Sequence, residues 1–189
     1  MAVLPIRTFP DDVLRQRCRE VEAFDAALHQ LLDDMADTMR AAEGIGLAAN
    51  QVGALHRLYL MDVPLSENVR TGLLEIINPQ IVARRGEQRY EEGCLSFPEL
   101  YENVVRASEI ELSWQDRTGQ PQRATLRGLV AVCAQHEFDH LDGITFVDRL
   151  SPLKRQMALR DYARNNREAI EDKQFRAKNR QRRTPQQLS

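Results

Sequence analysis

Between Val21 and Ala42 the apolar residues Phe24, Leu28, Leu31, Leu32, Met35 and Met39 recur at helical spacing. Gly44 follows as a C-terminal stop, so the pattern predicts an amphipathic helix ending just before a group of glycines. Beyond that loop the period shortens. The runs "RLYLMDV", "LEIINPQIV", "QRYEEG", "ENVVRA", "EIELSWQD" and "QRATLRG" read as strands separated by turn residues such as Pro64, Gly86, Pro98 and "RTGQP". No helical pattern lies between them, so their sheets are expected to be antiparallel or mixed. "LVAVCAQHEFDHL", Leu129 to Leu141, then reads as a largely buried helix ended by Gly143. A last helix begins at "SPLKRQM", where Ser151 can cap and Pro152 occupies the first turn. The order predicts an α+β fold, with antiparallel or mixed sheets packed around a central helix and further helices at both ends.

That central helix carries the first chemical signal. "QHEFDH" holds His136, Glu137 and His140 in an H-E-x-x-H pattern. Residues four apart are one turn apart, so both imidazoles leave the same face and can bind one ion. Glu137 can then reach water at that ion as a general base. On a core helix with Leu129, Val130, Val132 and Leu141, such polar groups are costly unless paired or ligated. A catalytic ion usually takes three protein ligands. Downstream, Asp142, Asp148, Asp161 and Glu168 sit in no recognisable third-ligand motif. Cys133 lies about 10 Å along the axis from His140, which disfavours a shared ion and makes it a wall residue. Cys94, in "EEGCLSFPE", follows a strand in a segment free to meet the helix; the alternative is a buried structural thiol.

"GIGLAANQVG", Gly44 to Gly53, contains a G-x-G-x-x-A match to the dinucleotide fingerprint. A phosphate-cradling loop follows a strand and opens a helix, whereas here the glycines follow a helix and precede a strand. A nucleotide role is therefore not expected. The glycines can instead let the backbone approach a ligand beside Asn50 and Gln51.

The 189 residues suit one domain with a tail, and the three cysteines, Cys18, Cys94 and Cys133, show no disulfide spacing, which suits a reducing compartment. No leader or membrane-length apolar run is evident, so a cytoplasmic protein without a membrane role is expected. The net charge of −2 conceals a division. Residues 151–189 hold eleven Lys and Arg against four Asp and Glu, or +7, leaving −9 on the rest. A basic end on an acidic body suits an anionic partner such as nucleic acid, or a solvated face running into a disordered tail.

"GIGLAANQVG", "EGCLS" and "QHEFDHLDG" together resemble the three signature motifs of the bacterial peptide deformylase family, in its order and at compatible separations. The likeness runs from the first helix to about Leu150. It implies a metal-dependent hydrolase that removes the formyl group from the N-terminal formylmethionine of new polypeptides and releases formate. Cys94, His136 and His140 match the metal ligands, Glu137 the acid/base, and Gln51 with the Leu95 N–H the oxyanion donors. Ile45 and Gly46 match the substrate groove, and Leu129, Val132 and Cys133 match the methionine pocket. The resemblance favours Fe2+ as the single divalent ion, with Zn2+, Ni2+ or Co2+ as alternatives, and the ribosome as a partner through the basic C-terminal helix of a monomer. At Tyr101 some members have an arginine that helps bind the substrate backbone. The expected organisation is one catalytic domain over residues 1–165 and a basic, partly disordered extension over 166–189.

Overall fold

A computed structural model describes residues 2–167 and 170–171. The first helix, α1, spans Ala26–Ala41, and Asp25 caps it by accepting a hydrogen bond from the Leu28 N–H at 3.0 Å. It starts later than the apolar pattern suggested. Upstream, the backbone of Val21 is outside the helix and pairs with a side chain: its N–H donates to Asn78 Oδ1 at 2.8 Å, and Asn78 Nδ2 donates to its carbonyl at 2.9 Å. Val21 and Phe24 belong to the apolar packing around α1 without belonging to the helix.

All six expected strands are present, with three short additions. β1 is Gly46–Ala48, β2 Leu58–Met61, β3 Pro64–Ser66, β4 Val69–Arg70, β5 Leu74–Arg85, β6 Gln88–Cys94, β7 Phe97–Arg106, β8 Glu109–Gln115 and β9 Pro121–Arg127. Pro64 and Pro98, expected as separators, lie inside β3 and β7. The main sheet has the order β1-β2-β5-β8-β9, and β3 with β4 and β6 with β7 form two-stranded ladders. Every named pair is antiparallel, and among the described residues the parallel pairing is an isolated bridge between Arg19 and His56.

β2 explains how the sheet is buried on both sides. Leu58 and Leu60 join the cluster around α1, while Tyr59 and Met61 join a second cluster that includes Ala131, Cys133, Ala134 and Leu141. A strand with both faces covered reads as a continuous apolar run, and "LYLM" does. The second cluster centres on α2, Gly128–Leu141, with ten of its residues buried, from Ala131 to Leu141. Gly143 follows with φ 72°, and a side chain there would collide with the backbone of Arg15.

Residues up to Leu150 form one compact unit, and a second begins at Ser151. It opens with α3, Pro152–Asn165, whose N-cap Ser151 accepts from the Lys154 N–H and whose first turn holds proline, as the sequence implied. Most of the extension expected from residue 166 lies outside the described residues. Among the described residues no helix is long and apolar enough to cross a membrane.

Candidate metal centre and active site

The helix α2 brings three polar side chains into the core. His136, Glu137 and His140 are 8%, 5% and 0% exposed, and the two imidazole centroids are 5.1 Å apart. The β6–β7 hairpin supplies the next group. Cys94 closes β6, and an irregularity between Gly93 and Cys94 turns its thiol toward the helix, 3.3 Å from His140 Nε2. One ligand atom each from Cys94, His136 and His140 lies within 4.8 Å of the others.

An aromatic row fixes the hairpin against the helix. Phe97, three residues after Cys94 and fully buried, stacks on Phe9 at 5.2 Å and meets the edge of Phe146 at 5.6 Å; Phe146 stacks on His136 at 6.0 Å. The N-terminal segment ties the remaining wall to it. The Arg7 N–H donates to the Gln51 carbonyl at 2.6 Å and the Phe9 N–H to the Ser96 carbonyl at 2.9 Å. Neither link was visible in the sequence pattern.

The glycine-rich stretch, expected as a loop, forms β1 and then a 3-10 turn over Ala49–Val52. Gln51 in that turn is 1% exposed; its Oε1 accepts from the Ala48 N–H at 2.8 Å, and its Nε2 donates to Ser96 Oγ at 3.0 Å and toward Cys94 Sγ at 3.5 Å. Asn50 Nδ2 donates to the His140 carbonyl at 2.6 Å, which ties the turn to the end of α2. At Gly46 a Cβ would fall inside contact distance of Glu137 Oε1 and 2.9 Å from Cys133 Sγ. Glycine is what allows β1 to pass so close to α2.

Behind the histidines stands a network the sequence reading missed. His136 Nδ1 lies 2.8 Å from Glu92 Oε2, and Glu92 receives Arg106 Nε at 2.7 Å and Nη2 at 2.9 Å. Arg106 also donates to Asp139, which pairs with Arg149 in turn. Glu92 and Cys94 are two apart on one strand, hence on one face, and Asp139 follows His136 by three on the helix; those spacings were the available signal. Arg106 comes from a strand 33 residues before Asp139, and nothing local announces it.

Electrostatics follow the packing. Burial pushes Glu92 toward the neutral form, but the hydrogen bonds from Arg106 and His136 win and hold its carboxyl down at about 2. Glu137 has no such cation bonded to it, and burial, reinforced by the charge of Glu92, pushes it up to about 7. For His136, burial favours the neutral ring, yet the Cys94 thiol, Glu92 and Glu137 together raise it well above the usual histidine value. His140 is driven the other way by burial and by the charges of His136 and Arg106. Negative groups that favour a proton on His136 equally favour a metal cation among the same atoms.

The residues present fit a metal. One thiol and two imidazoles make a borderline-soft donor set, and His136 uses Nδ1 on Glu92, which leaves Nε2 for an ion, the usual arrangement for a ligating histidine. Beside them opens a cavity of about 500 Å3 lined by Ile45, Gly46, Gln51, Leu95, Leu129, Val132 and Cys133 together with Cys94, His136 and Glu137. Of the residues matched to a metal, catalytic or substrate role, all but His140 touch that cavity; His140 is in contact with Cys94.

A model of the polypeptide deformylase family matches residues 3–156. The chain is 49% identical over 156 residues to a peptide deformylase from Chromobacterium violaceum, which spans 82% of this chain and 92% of that one. Among solved structures, a peptide deformylase from Legionella pneumophila superposes with a TM-score of 0.81 at 44% identity, covering 89% of this chain and 98% of its own. A class I type b peptide deformylase from Acinetobacter baumannii, with Met-Ala-Ser bound, gives 0.75 at 30% identity over 79% and 99%. With its Cys94, His136 and His140 gathered beside Glu137 and its whole α+β body matched, the chain belongs to the peptide deformylase family.

Proposed function

We infer that this chain is a metal-dependent hydrolase that removes the formyl group from the N-terminal formylmethionine of newly made polypeptides and releases formate. One observation carries the reading: Cys94, His136 and His140 converge next to a buried carboxyl, Glu137, at the side of a cavity with an apolar wall. A divalent ion held by those three residues would supply Lewis acidity, making water nucleophilic near neutral pH and polarising a carbonyl.

The chain's own groups do the rest. Leu129, Val132 and Cys133 give the first side chain of the substrate an apolar wall, with Ile45 and Gly46 next to Cys133 along the groove. Glu137 takes the proton from the attacking water and hands it to the departing amine nitrogen as the C–N bond breaks. Its raised pKa, which a cation beside it would lower, suits both acts near pH 7. Gln51 Nε2, already aimed at Cys94 Sγ, and the Leu95 N–H donate to the formyl oxygen as it gains negative charge. Glu92 holds His136 by Nδ1 and keeps the other nitrogen directed at the ion.

For the ion we propose Fe2+, since a thiolate and two imidazoles accept it as well as Zn2+, Co2+ or Ni2+ and the family resemblance favours it. Ferrous iron on a thiolate predicts activity that decays in air. The +7 charge of residues 151–189 supports docking on ribosomal RNA, in the cytoplasm where the substrate emerges. Truncation after Asn165 should abolish salt-sensitive rRNA binding.

The deciding experiment is anaerobic purification, metal analysis and a formate-release assay on formyl-Met-Ala-Ser. Formate release with one metal per chain, both lost in Cys94→Ala, is the expected result. A fully metallated protein that releases no formate would overturn the reading.

A further inference from the structure

β2 brings a hydroxyl into the core beside the carboxyl of Glu137. Tyr59 is fully buried, and among the described residues its hydroxyl has no hydrogen-bond partner. Glu137 Oε2 is a second buried atom without one. Native proteins leave few such groups unsatisfied, because each has given up its water.

The sheet register brings the two atoms into one region. Gly46 pairs with Met61 and Ala48 with Tyr59, so Gly46 and Tyr59 are diagonal neighbours on adjoining strands and share one face. Diagonal neighbours lie about 7–8 Å apart, within reach of an aromatic side chain. The Glu137 carboxyl rests on Gly46, where a Cβ would come within 2.8 Å of its carbon. The helix offers the same placement. Cys133, Ala134, Glu137 and Leu141 follow at three- and four-residue steps along one stripe of α2, and Cys133, Ala134 and Leu141 pack in one cluster with Tyr59.

The two groups are complementary as well as close. Burial, followed by the charges of Cys133 and Glu137, pushes the Tyr59 hydroxyl well above the usual tyrosine value, so it keeps its proton and donates. A carboxylate oxygen accepts. Neither atom reaches the other directly, and one water that accepts from Tyr59 and donates to Oε2 satisfies both.

We propose that Tyr59 is a positioning residue for Glu137, its hydroxyl holding one buried water that donates to Oε2 and fixes the orientation of the carboxyl. The proposal rests on the deformylase reading. Gly46 bounds the carboxyl on the side of Oε1, and the water bounds it on the side of Oε2. A proton carrier held from both sides meets the attacking water and the departing nitrogen without first having to turn.

The test is Tyr59→Phe, which removes one oxygen and keeps the ring in the core, in the full-length enzyme loaded with Fe2+ and handled without air. A hydrogen bond of this kind is typically worth about a fivefold to tenfold change, so kcat on formyl-Met-Ala-Ser should fall by that factor. KM, metal content and the urea midpoint should stay at their wild-type values, which a merely structural hydroxyl would not allow. A crystal structure of the loaded wild type should show a water within hydrogen-bond distance of both Tyr59 Oη and Glu137 Oε2, and the Tyr59→Phe structure should lack it. A variant kcat within about twofold of wild type overturns the proposal, as does a wild-type crystal structure without that water. A fall in kcat matched by loss of metal or by a lower urea midpoint overturns it too, because the hydroxyl then supports the fold and not the carboxyl. A loaded wild type that releases no formate would instead remove the functional reading and this inference with it.

Discussion

Glu92 is the residue whose replacement tests the architecture of the site most sharply. It is 4% exposed and holds three partners: two Arg106 nitrogens at 2.7 and 2.9 Å and His136 Nδ1 at 2.8 Å. Glu92→Gln keeps the shape but removes the charge and leaves Arg106 with Asp139 alone in the core. Breaking one partner out of a buried ion pair costs about 3–5 kcal/mol, because the other charge is left uncompensated. An independent route gives a similar size. A carboxyl ordinarily near 4.5 and held at about 2 in the fold is worth roughly 3 kcal/mol by linkage. Its folded value is depressed, so this stability is present above about pH 4.5 and is lost as pH falls toward 2. Urea unfolding of the metal-free proteins at pH 7 and through that acid window, followed by metal competition against a chelator, measures both consequences. The expected outcome is a loss of about 3 kcal/mol at pH 7, a shallower acid dependence, and metal affinity weaker by about 10- to 100-fold. A loss below about 1 kcal/mol with unchanged metal affinity would refute the argument that this network holds His136 in place.

The other predictions concern the reaction itself. Glu137→Ala should keep the metal and lose nearly all formate release under the proposal that Glu137 carries the proton and does not bind the ion; a metallated variant with substantial turnover would dismiss that role. Gln51→Ala should lower kcat on the order of a hundredfold, the size expected for one preorganised donor worth about 3 kcal/mol, with steady-state kinetics as the readout. Gly46→Ala should place a methyl group against Glu137 and Cys133, cost about 1–3 kcal/mol in thermal or urea unfolding, and reduce kcat by roughly tenfold to a hundredfold through displacement of the carboxyl. Unchanged kcat in that variant would mean the carboxyl can yield without penalty.

Most of the elements were legible in the chain because each carries a local signature. The strands from Leu58 to Arg127 and the helix over "LVAVCAQHEFDHL" follow from apolar patterning, and Ser151 with Pro152 marks the start of α3. His136, Glu137 and His140 were legible for the same reason: a helical period puts them on one face whatever the rest of the protein does. Boundaries were less so. Val21 escapes α1 because Asn78, fifty-seven residues away, hydrogen-bonds its backbone, and Gly46–Ala48 becomes a strand because Met61, Leu60 and Tyr59 lie alongside it.

How distant pieces of the chain converge is set by packing. Residue spacing could admit Cys94 as a ligand or as a buried thiol; its place 3.3 Å from His140 depends on Phe97 being wedged between Phe9 and Phe146. The pairing of Glu92 with Arg106 and His136 likewise needs β6, β7 and α2 to meet in the core, where a charge without partners would be prohibitive. Periodicity fixes which way a side chain points along its own helix or strand, and so the histidine pair and its carboxyl could be read from local spacing alone. Contacts between elements far apart in the chain arise only from packing, and so the place of Cys94 beside the histidines and the charge network behind them became determinate in three dimensions.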